Sequence, residues 1–384
     1  MPLDLFAVIQ PGLEDLCAAE LAGLDVGPCV THPGGVAFSG EIGDVARVNL
    51  HSSVATRVLV RVGEFRAPGF PELHAHAARL AWERFIPDAR PPRVVVHVTA
   101  HKSRLYHTVG IAERVVRGIG ERLGAAPELL APEDDDADAA VDEGRAQATR
   151  IHVRIERDRC TVSVDSSGEP LHRRGYRLSL ARAPLRPTLA AALLRAAAWA
   201  PDEPLLDPMC GSGTIVLEAA RRACGRPPGG DRGFAFAAWP GFAGADALAR
   251  ARAQVASAAA APAAIVGSDR DAGAIEAARA NARRAGVAGD VTLAQRSLSA
   301  CEPPTGPGLV ISNPPYGVRV GKPGQLRDLY AQIGHVLRDR CRGWRVALLC
   351  GDELWRCCEL PLRVARTLRN GGLAVQLVQG RVPA

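Results

Sequence analysis

Pro204-Leu-Leu-Asp-Pro-Met-Cys-Gly-Ser-Gly-Thr214 decides the fold of this chain. Its apolar start reads as a short strand, and the helical spacing after Thr214 reads as a helix through Ala223. Gly211 and Gly213 between them permit a tight turn and let a ligand lie against bare backbone. Asp207, at the strand end, can accept hydrogen bonds from a ligand amine or hydroxyl. No Gly-Lys-Ser/Thr follows, which excludes a phosphate-cradling P-loop. Val216 stands where a dinucleotide fingerprint needs its third glycine, which disfavours a pyrophosphate.

The segments after this turn alternate in the same way. Strands are expected at Ala264–Val266, Val291–Leu293, Leu309–Ser312, Val346–Leu349 and Ala374–Val378. Helices are expected at Ala272–Ala285, Gln325–Leu337 and, more weakly, near Glu353–Leu360. Such alternation argues for a doubly wound α/β domain. Asp269 ends the second strand, where an acid can hold ribose hydroxyls, and Asp271 is expected to cap the helix that opens at Ala272.

A second motif, Val310-Ile-Ser-Asn-Pro-Pro-Tyr316, ends the fourth strand. Pro314 and Pro315 fix the backbone and remove two donors. The Asn313 amide oxygen and the Pro314 carbonyl can then converge on one amino group. An exocyclic nucleobase amine is a poor nucleophile because its lone pair is delocalised into the ring, and two acceptors on its hydrogens favour pyramidalisation. Tyr316 can stack on the base.

Upstream, residues 1–70 read as short strands and helices: strands at Leu5–Ile9, Gly35–Ser39 and Thr56–Val62, helices at Leu13–Ala22 and Ile42–Asn49. Residues 71–165 repeat the mixture, with a helix from Pro71 to Arg84, a strand at Val94–Thr99, a helix from Tyr106 to Leu123 and a hairpin of Ile151–Ile155 with Cys160–Val164. Pro132–Gly144 carries seven acids and no base, and is expected to be a solvated loop. Residues 168–187 are polar, Arg-rich and unperiodic, which reads as a linker before an Ala-rich helix from Leu189 to Trp199.

Together these segments resemble the THUMP-domain family of class I S-adenosylmethionine-dependent RNA guanine-N2 methyltransferases. The matching residues are Ser103–Thr108, Ser163–Arg177, Ala183–Leu189, Asp207–Thr214 and Ser312–Gly317. The string Ser-Gly-Glu-Pro-Leu-His-Arg-Arg-Gly-Tyr-Arg at 167–177 is the most specific of them. The resemblance implies an α+β ferredoxin-like region over 1–70, a THUMP domain over 71–165, an Arg-rich linker over 166–187 and a Rossmann-like catalytic domain over 188–384. It implies S-adenosylmethionine as cofactor and tRNA or rRNA as partner, with the target guanine flipped from its stack. On it, Asn313, Pro314, Pro315 and Tyr316 are the catalytic residues. Asp207, Met209, Cys210, Gly211, Ser212, Gly213, Asp269, Arg270, Ser297 and Thr188 border the cofactor. Arg173, Arg174 and Arg177 are candidates to neutralise RNA phosphates, Lys102, Arg104 and His107 are weaker candidates, and Arg182 and Arg186 could hold either the cofactor pocket or RNA. Where such enzymes carry an Asp for the adenine amine, this chain reads Arg296-Ser-Leu-Ser299, leaving Ser297 or Ser299 as substitutes. Two alternatives stay open: methylation of adenine N6 or of a protein glutamine, and a catalytically decayed RNA-binding protein.

The composition bounds these readings. The chain has 384 residues, 47 Lys+Arg and 41 Asp+Glu, a net charge of +6. All the cations but Lys102 and Lys322 are arginine. Residues 1–165 hold 18 basic against 24 acidic residues, and the remainder 29 against 17, so the polyanion affinity is expected after residue 165. No run of 18 apolar residues predicts a membrane span and no basic-then-apolar leader predicts secretion, so a cytoplasmic protein is expected; a monomer is the expected state, though no sequence feature sets it. The ten cysteines contain no Cys-x-x-Cys, so no metal site is expected and they read as reduced, buried thiols.

Overall fold

The computed structural model describes residues 2–89, 91–132, 148–176, 185–230, 232–317, 323–351, 353–370 and 372–384. The acidic run 133–144, Arg177, Arg182 and Lys322 lie outside them. The chain divides into two units, each with its own sheet.

The first unit comprises residues 1–9, 17–171 and 231–254. It holds β1 (Leu3–Val8), most of α1 (Glu14–Gly23), β2 (Val30–His32), β3 (Gly35–Gly40), α2 (Ile42–His51), β4 (Arg57–Arg66), α3 (Phe70–Ala77), β5 (Arg93–His101), α4 (Thr108–Leu123), β6 (Glu128–Leu130), β7 (Thr149–Glu156) and β8 (Arg159–Asp165). All eight strands form one sheet, in the order β2-β3-β1-β4-β8-β7-β5-β6. The two N-terminal regions expected from the sequence therefore share a sheet, joined by the antiparallel pairing of β4 with β8. The β7–β8 turn is two residues long, and both Arg157 and Asp158 adopt positive φ, as the twist of a tight hairpin requires.

The helix expected from Pro71 to Arg84 is broken. It stops at Ala77, and Trp82 begins a short 3-10 turn. Fully buried Trp82 folds back, and its indole N–H donates to the Ala77 carbonyl at 2.7 Å, satisfying a helix-end acceptor. The helix expected from Tyr106 opens instead at Thr108, with His107 in extended conformation before it.

The second unit comprises residues 10–16, 172–230 and 255–384. It holds α5 (Pro187–Ala196), β9 (Leu205–Asp207), α6 (Thr214–Ala223), β10 (Ile265–Asp269), α8 (Ala272–Arg284), β11 (Thr292–Gln295), β12 (Leu309–Ser312), α9 (Pro323–Arg340), β13 (Arg345–Gly351), β14 (Leu362–Asn370) and β15 (Leu373–Arg381). The remaining helix, α7 (Gly244–Ala253), lies in the first unit, where it packs on α2. Within 188–384, residues 231–254 cluster with the N-terminal residues, and residues 10–16 cluster with the second unit.

The sheet order is β11-β10-β9-β12-β13-β15-β14, parallel from β11 through β13 with β15 antiparallel. Buried strands β9 and β12 are short apolar runs, as expected where both faces are covered. The chain runs outward from β9 in both directions, so the switch point at which such sheets bind ligands falls at the carboxyl ends of β9 and β12. The weak helix near Glu353–Leu360 is a 3-10 turn, Leu354–Cys358, and β14 follows it unanticipated.

Candidate active site

Hydrogen bonds tie three neighbouring strand ends together. At the end of β9, buried Asp207 accepts from the Ser312 hydroxyl at 2.6 Å and from the Met209 amide at 3.2 Å, both on Oδ1. Ser312 directly precedes Asn313, so this bond joins the two sequence motifs. From β10, the Ser268 carbonyl accepts the Cys210 amide at 2.9 Å, and Asp269 accepts the Gly211 amide at 3.0 Å and the Asp271 amide at 3.0 Å. Asp271 itself caps α8, accepting from the Ala274 amide at 2.9 Å, as its sequence position indicates.

The glycine turn is built as its sequence requires. Gly211 has φ +53° and Gly213 φ +86°, a region that disfavours side chains. A Cβ on Gly213 would lie 3.1 Å from that of Ala278, so this glycine also sets the approach of α6 to α8. A Cβ on Gly211 would meet nothing within 4 Å, so the space over the turn is open. Buried Ser212 is held from α8, its carbonyl accepting from Asn281 at 3.1 Å. Thr188 is buried in the first turn of α5. Arg270 and Ser297 are exposed, and the Ser297 and Ser299 hydroxyls lie 3.1 Å apart.

Burial shapes the ionisation of this cluster. Burial pushes the Asp207 carboxyl up to about 7; the Ser312 and Met209 hydrogen bonds pull it down and the Asp269 charge adds to the rise. Burial, with the charges of Asp207 and Asp269, also drives the Cys210 thiol well above its usual range. Cys210 is therefore a neutral packing group and not a nucleophile.

Asn313 is partly buried just past β12, and its Oδ1 is fully enclosed with no hydrogen-bond partner among the described residues. A buried carbonyl left unpaired costs about 1–3 kcal/mol, which makes this oxygen a candidate acceptor for a ligand's donor. Pro314 is buried and Pro315 half-buried. The Tyr316 hydroxyl accepts from Asn370 Nδ2 at 2.7 Å, and Gly351 lets its ring lie close, since a Cβ there would come within 3.2 Å of it. Sequence reasoning missed Ser312, Asn370, Gly351 and Ser268, whose buried hydroxyl also lacks a partner among the described residues. For Ser268 and Ser312 the signal was there: a small hydroxyl one residue before each proposed functional side chain.

The RNA candidates divide. Arg174 is withdrawn as a phosphate ligand, because its side chain is only 1% exposed and lies 3.6 Å from the equally buried Glu218 of α6. Tyr176 donates to the same carboxylate at 2.8 Å, and its own carbonyl accepts from Arg284 at 2.7 Å. A buried carboxylate needs such partners, and this one consumes the arginine. Residues 166–171 are likewise packed: Ser166 and Ser167 bond Asn49 at 2.8 and 2.6 Å, and the Leu171 amide donates to Thr56. The described part of the Arg-rich stretch is therefore irregular but not a solvated linker. Arg173 is partly exposed, and Lys102 and Arg104 are exposed in the first unit. Arg177 lies outside the described residues. Among the described residues no group of His, Cys, Asp and Glu could hold a metal ion, and no helix is long and apolar enough to cross a membrane.

Three family profiles match in series: an RlmL ferredoxin-like domain over residues 4–59, a THUMP domain over 68–165 and an RMKL-like, methyltransferase domain over 174–372. A Synechocystis sp. protein provisionally named an RNA methyltransferase is 33% identical over 379 residues, 97% of this chain and 95% of its own. The chain belongs to the RMKL-like methyltransferase family. Within the family, ribosomal RNA large subunit methyltransferase K/L of Syntrophotalea carbinolica is 34% identical over 391 residues, covering 98% of this chain and 53% of that protein. The chain thus spans about half the length of that relative. Among solved structures, SMU.472, provisionally a methyltransferase and complexed with SAH, is 30% identical with a TM-score of 0.83, covering 98% of this chain and 97% of that one.

Proposed function

We propose that this RMKL-like methyltransferase transfers the methyl group of S-adenosylmethionine to the exocyclic N2 amine of a guanosine in structured RNA, with rRNA of the large subunit as the leading substrate class. The observation that carries this reading is the enclosed, unpaired Oδ1 of Asn313, tied through Ser312 and Asp207 to a glycine turn with open space above it. The named relatives support the RNA class, and the THUMP match supports an RNA-capture role for the first unit.

The residues fit an adenosyl cofactor. Gly211 and Gly213 keep the floor free of side chains, and Asp269 retains lone pairs for ribose hydroxyls beyond the two amides it accepts. Asp207, in its ionised form, is the proposed partner of a cationic amino group. Ser297 and Ser299 are the proposed substitutes for the acid that such enzymes aim at the adenine amine, so that contact would rest on hydroxyls or backbone.

When bound, the donor supplies an electrophilic methyl on a sulfonium, which needs no covalent enzyme intermediate. Asn313 Oδ1 and the Pro314 carbonyl accept the two N2 hydrogens, localising the nitrogen lone pair and orienting it for in-line attack. Tyr316, its hydroxyl held by Asn370, offers its ring face to the base. The N–CH3 bond forms as the S–CH3 bond breaks, the pair returns to sulfur, and one N2 proton leaves to solvent.

Incubation with labelled donor and total RNA is expected to place label in 2-methylguanosine after nucleoside digestion. Label only in N6-methyladenosine overturns the base assignment, and no label in RNA overturns the RNA reading.

A pH dependence follows from Asp207. With its carboxyl near 7, a small fraction is ionised at pH 6 and most of it above pH 7.5. Donor affinity measured by calorimetry is therefore expected to rise severalfold, about eightfold at most, between pH 6 and pH 7.5. Asp207→Asn keeps the Oδ1 acceptor for Ser312 and Met209 and is expected to abolish that rise. The stability trend has the opposite sign. A folded-state value raised above the unfolded one contributes stability at low pH that is lost as pH rises through 7, so Asp207→Asn is expected to unfold at higher denaturant than the parent at pH 8.

A further inference from the structure

The loop between β5 and α4 holds an aromatic ring out in solvent. Leu105 is buried and anchors the loop, while Tyr106 is 67% exposed and Val109, the second residue of α4, 70% exposed. The chain has only four tyrosines. Tyr176 and Tyr330 are buried, Tyr316 is half-buried at the strand-end cluster, and Tyr106 is the sole aromatic among the exposed large hydrophobics of the described residues. Folding gains little from a ring in water, so this ring is open to a partner.

The backbone beneath the ring is held in place. The Ser103 hydroxyl donates to the His101 carbonyl at 2.9 Å and accepts the Asp158 amide at 3.1 Å. The Arg157 amide donates to the His101 carbonyl at 3.2 Å, and the Arg104 amide to Asp158 Oδ1 at 2.8 Å. Lys102 adopts a left-handed conformation, φ +49°, to make this turn. The loop and the β7–β8 turn are thus one knitted surface, and the ring needs little ordering on binding.

The charge around it is mainly basic. Glu156 lies in register with His101 and is paired with Arg154 at 2.9 Å, and the one acid in residues 101–109 and 157–158 is Asp158. Its carboxylate faces inward, 14% exposed, on the Arg104 amide and 3.6 Å from the Arg104 guanidinium. His101, Lys102, Arg104, His107 and Arg157 are exposed around it, and the His107 ring leans on Tyr106 at 4.4 Å. A lone ring among cations matches a nucleobase with its phosphodiesters better than an apolar protein surface, which would need a broader apolar face.

We propose that Tyr106 is a stacking platform for an unpaired nucleobase of the RNA substrate, with the flanking phosphates on Lys102, Arg104 and Arg157. The inference rests on the RNA reading above and locates a contact that reading leaves unassigned. The test uses the full chain, a 12-nucleotide single-stranded RNA with a central 2-aminopurine, and deproteinised large-subunit RNA. Tyr106→Ala is expected to weaken both RNAs about tenfold and to lose the quenching of 2-aminopurine fluorescence, while Tyr106→Phe restores both. Lys102→Ala is expected to lower the salt slope of binding by about one. Thermal unfolding and donor affinity should not change in either Tyr106 variant. Wild type that neither binds nor methylates RNA overturns the RNA reading and this inference with it. Wild type that does both, with Tyr106→Ala indistinguishable from it, overturns the stacking inference alone. So does RNA-free wild type that self-associates where Tyr106→Ala is monomeric, since the ring would then be covered by a second copy.

Discussion

Replacement of Asn313 by Ala is expected to lower the turnover number by about 10²–10³-fold, leaving the affinities for donor and RNA within about threefold of the parent. The magnitude is that of removing one preorganised polar group from a site where charge develops in the transition state. The split between turnover and affinity follows because the Oδ1 acts on hydrogens that become more acidic as nitrogen acquires its fourth bond. The structure also supplies the folding control. Asn313 Oδ1 makes no hydrogen bond among the described residues, so its removal breaks no internal hydrogen bond of that atom and the unfolding midpoint should not fall. Single-turnover rates with labelled donor, alongside RNA filter binding, measure both halves. A parallel loss of RNA binding and turnover would make Asn313 a residue of the fold and not of the reaction.

The second large effect belongs to the first unit. Arg57, with a side chain 5% exposed, pairs with fully buried Asp165 and donates to the Gly168 carbonyl at 2.8 Å. Asp165 also accepts the Ser167 amide at 2.7 Å. Burial pushes this carboxyl up, but the Arg57 charge, His152 and the Ser167 amide outweigh it and hold it down to about 2. Arg57→Ala strands that carboxylate and is expected to cost about 3–5 kcal/mol in denaturant unfolding of the first unit. Adding Asp165→Asn should recover part of the loss by removing the unpaired charge while keeping the acceptor for Ser167. In the parent, the depressed carboxyl contributes roughly 2–3 kcal/mol above pH 4, lost as pH falls toward 2. That acid limb should be absent from the double variant.

The catalytic sheet was legible because β9, β10 and β12 are short apolar runs, each ending on a polar residue. Thr214–Ala223 and Leu309–Ser312 stand at the residues expected for them. Strand β14 was not legible: it is an edge strand whose only buried residues are Leu362 and Leu368, with arginines between, so no apolar period marks it. The strand-end chemistry could be read because prolines and glycines constrain backbone locally. The fate of Arg174 could not, because it depends on Glu218, 44 residues away in sequence. Charge pattern places arginines after residue 165, but it cannot distinguish one that faces a phosphate from one that neutralises a buried acid.

The membership of residues 231–254 in the first unit has a consequence for synthesis. Phe85 packs edge-on against Trp239 at 5.1 Å, the Gly241 amide bonds the Arg84 carbonyl, and α7 covers α2. A nascent chain that has reached Leu171 still lacks these partners. The segment that carries them is complete only 83 residues later, which at ordinary ribosomal speeds is roughly 4–17 s. During that interval the surface meant for Trp239 and α7 stays uncovered, and it is the catalytic half, already emerging, that carries the missing piece. Ribosome-bound intermediates arrested before residue 254 are therefore the species most exposed to chaperones and to aggregation.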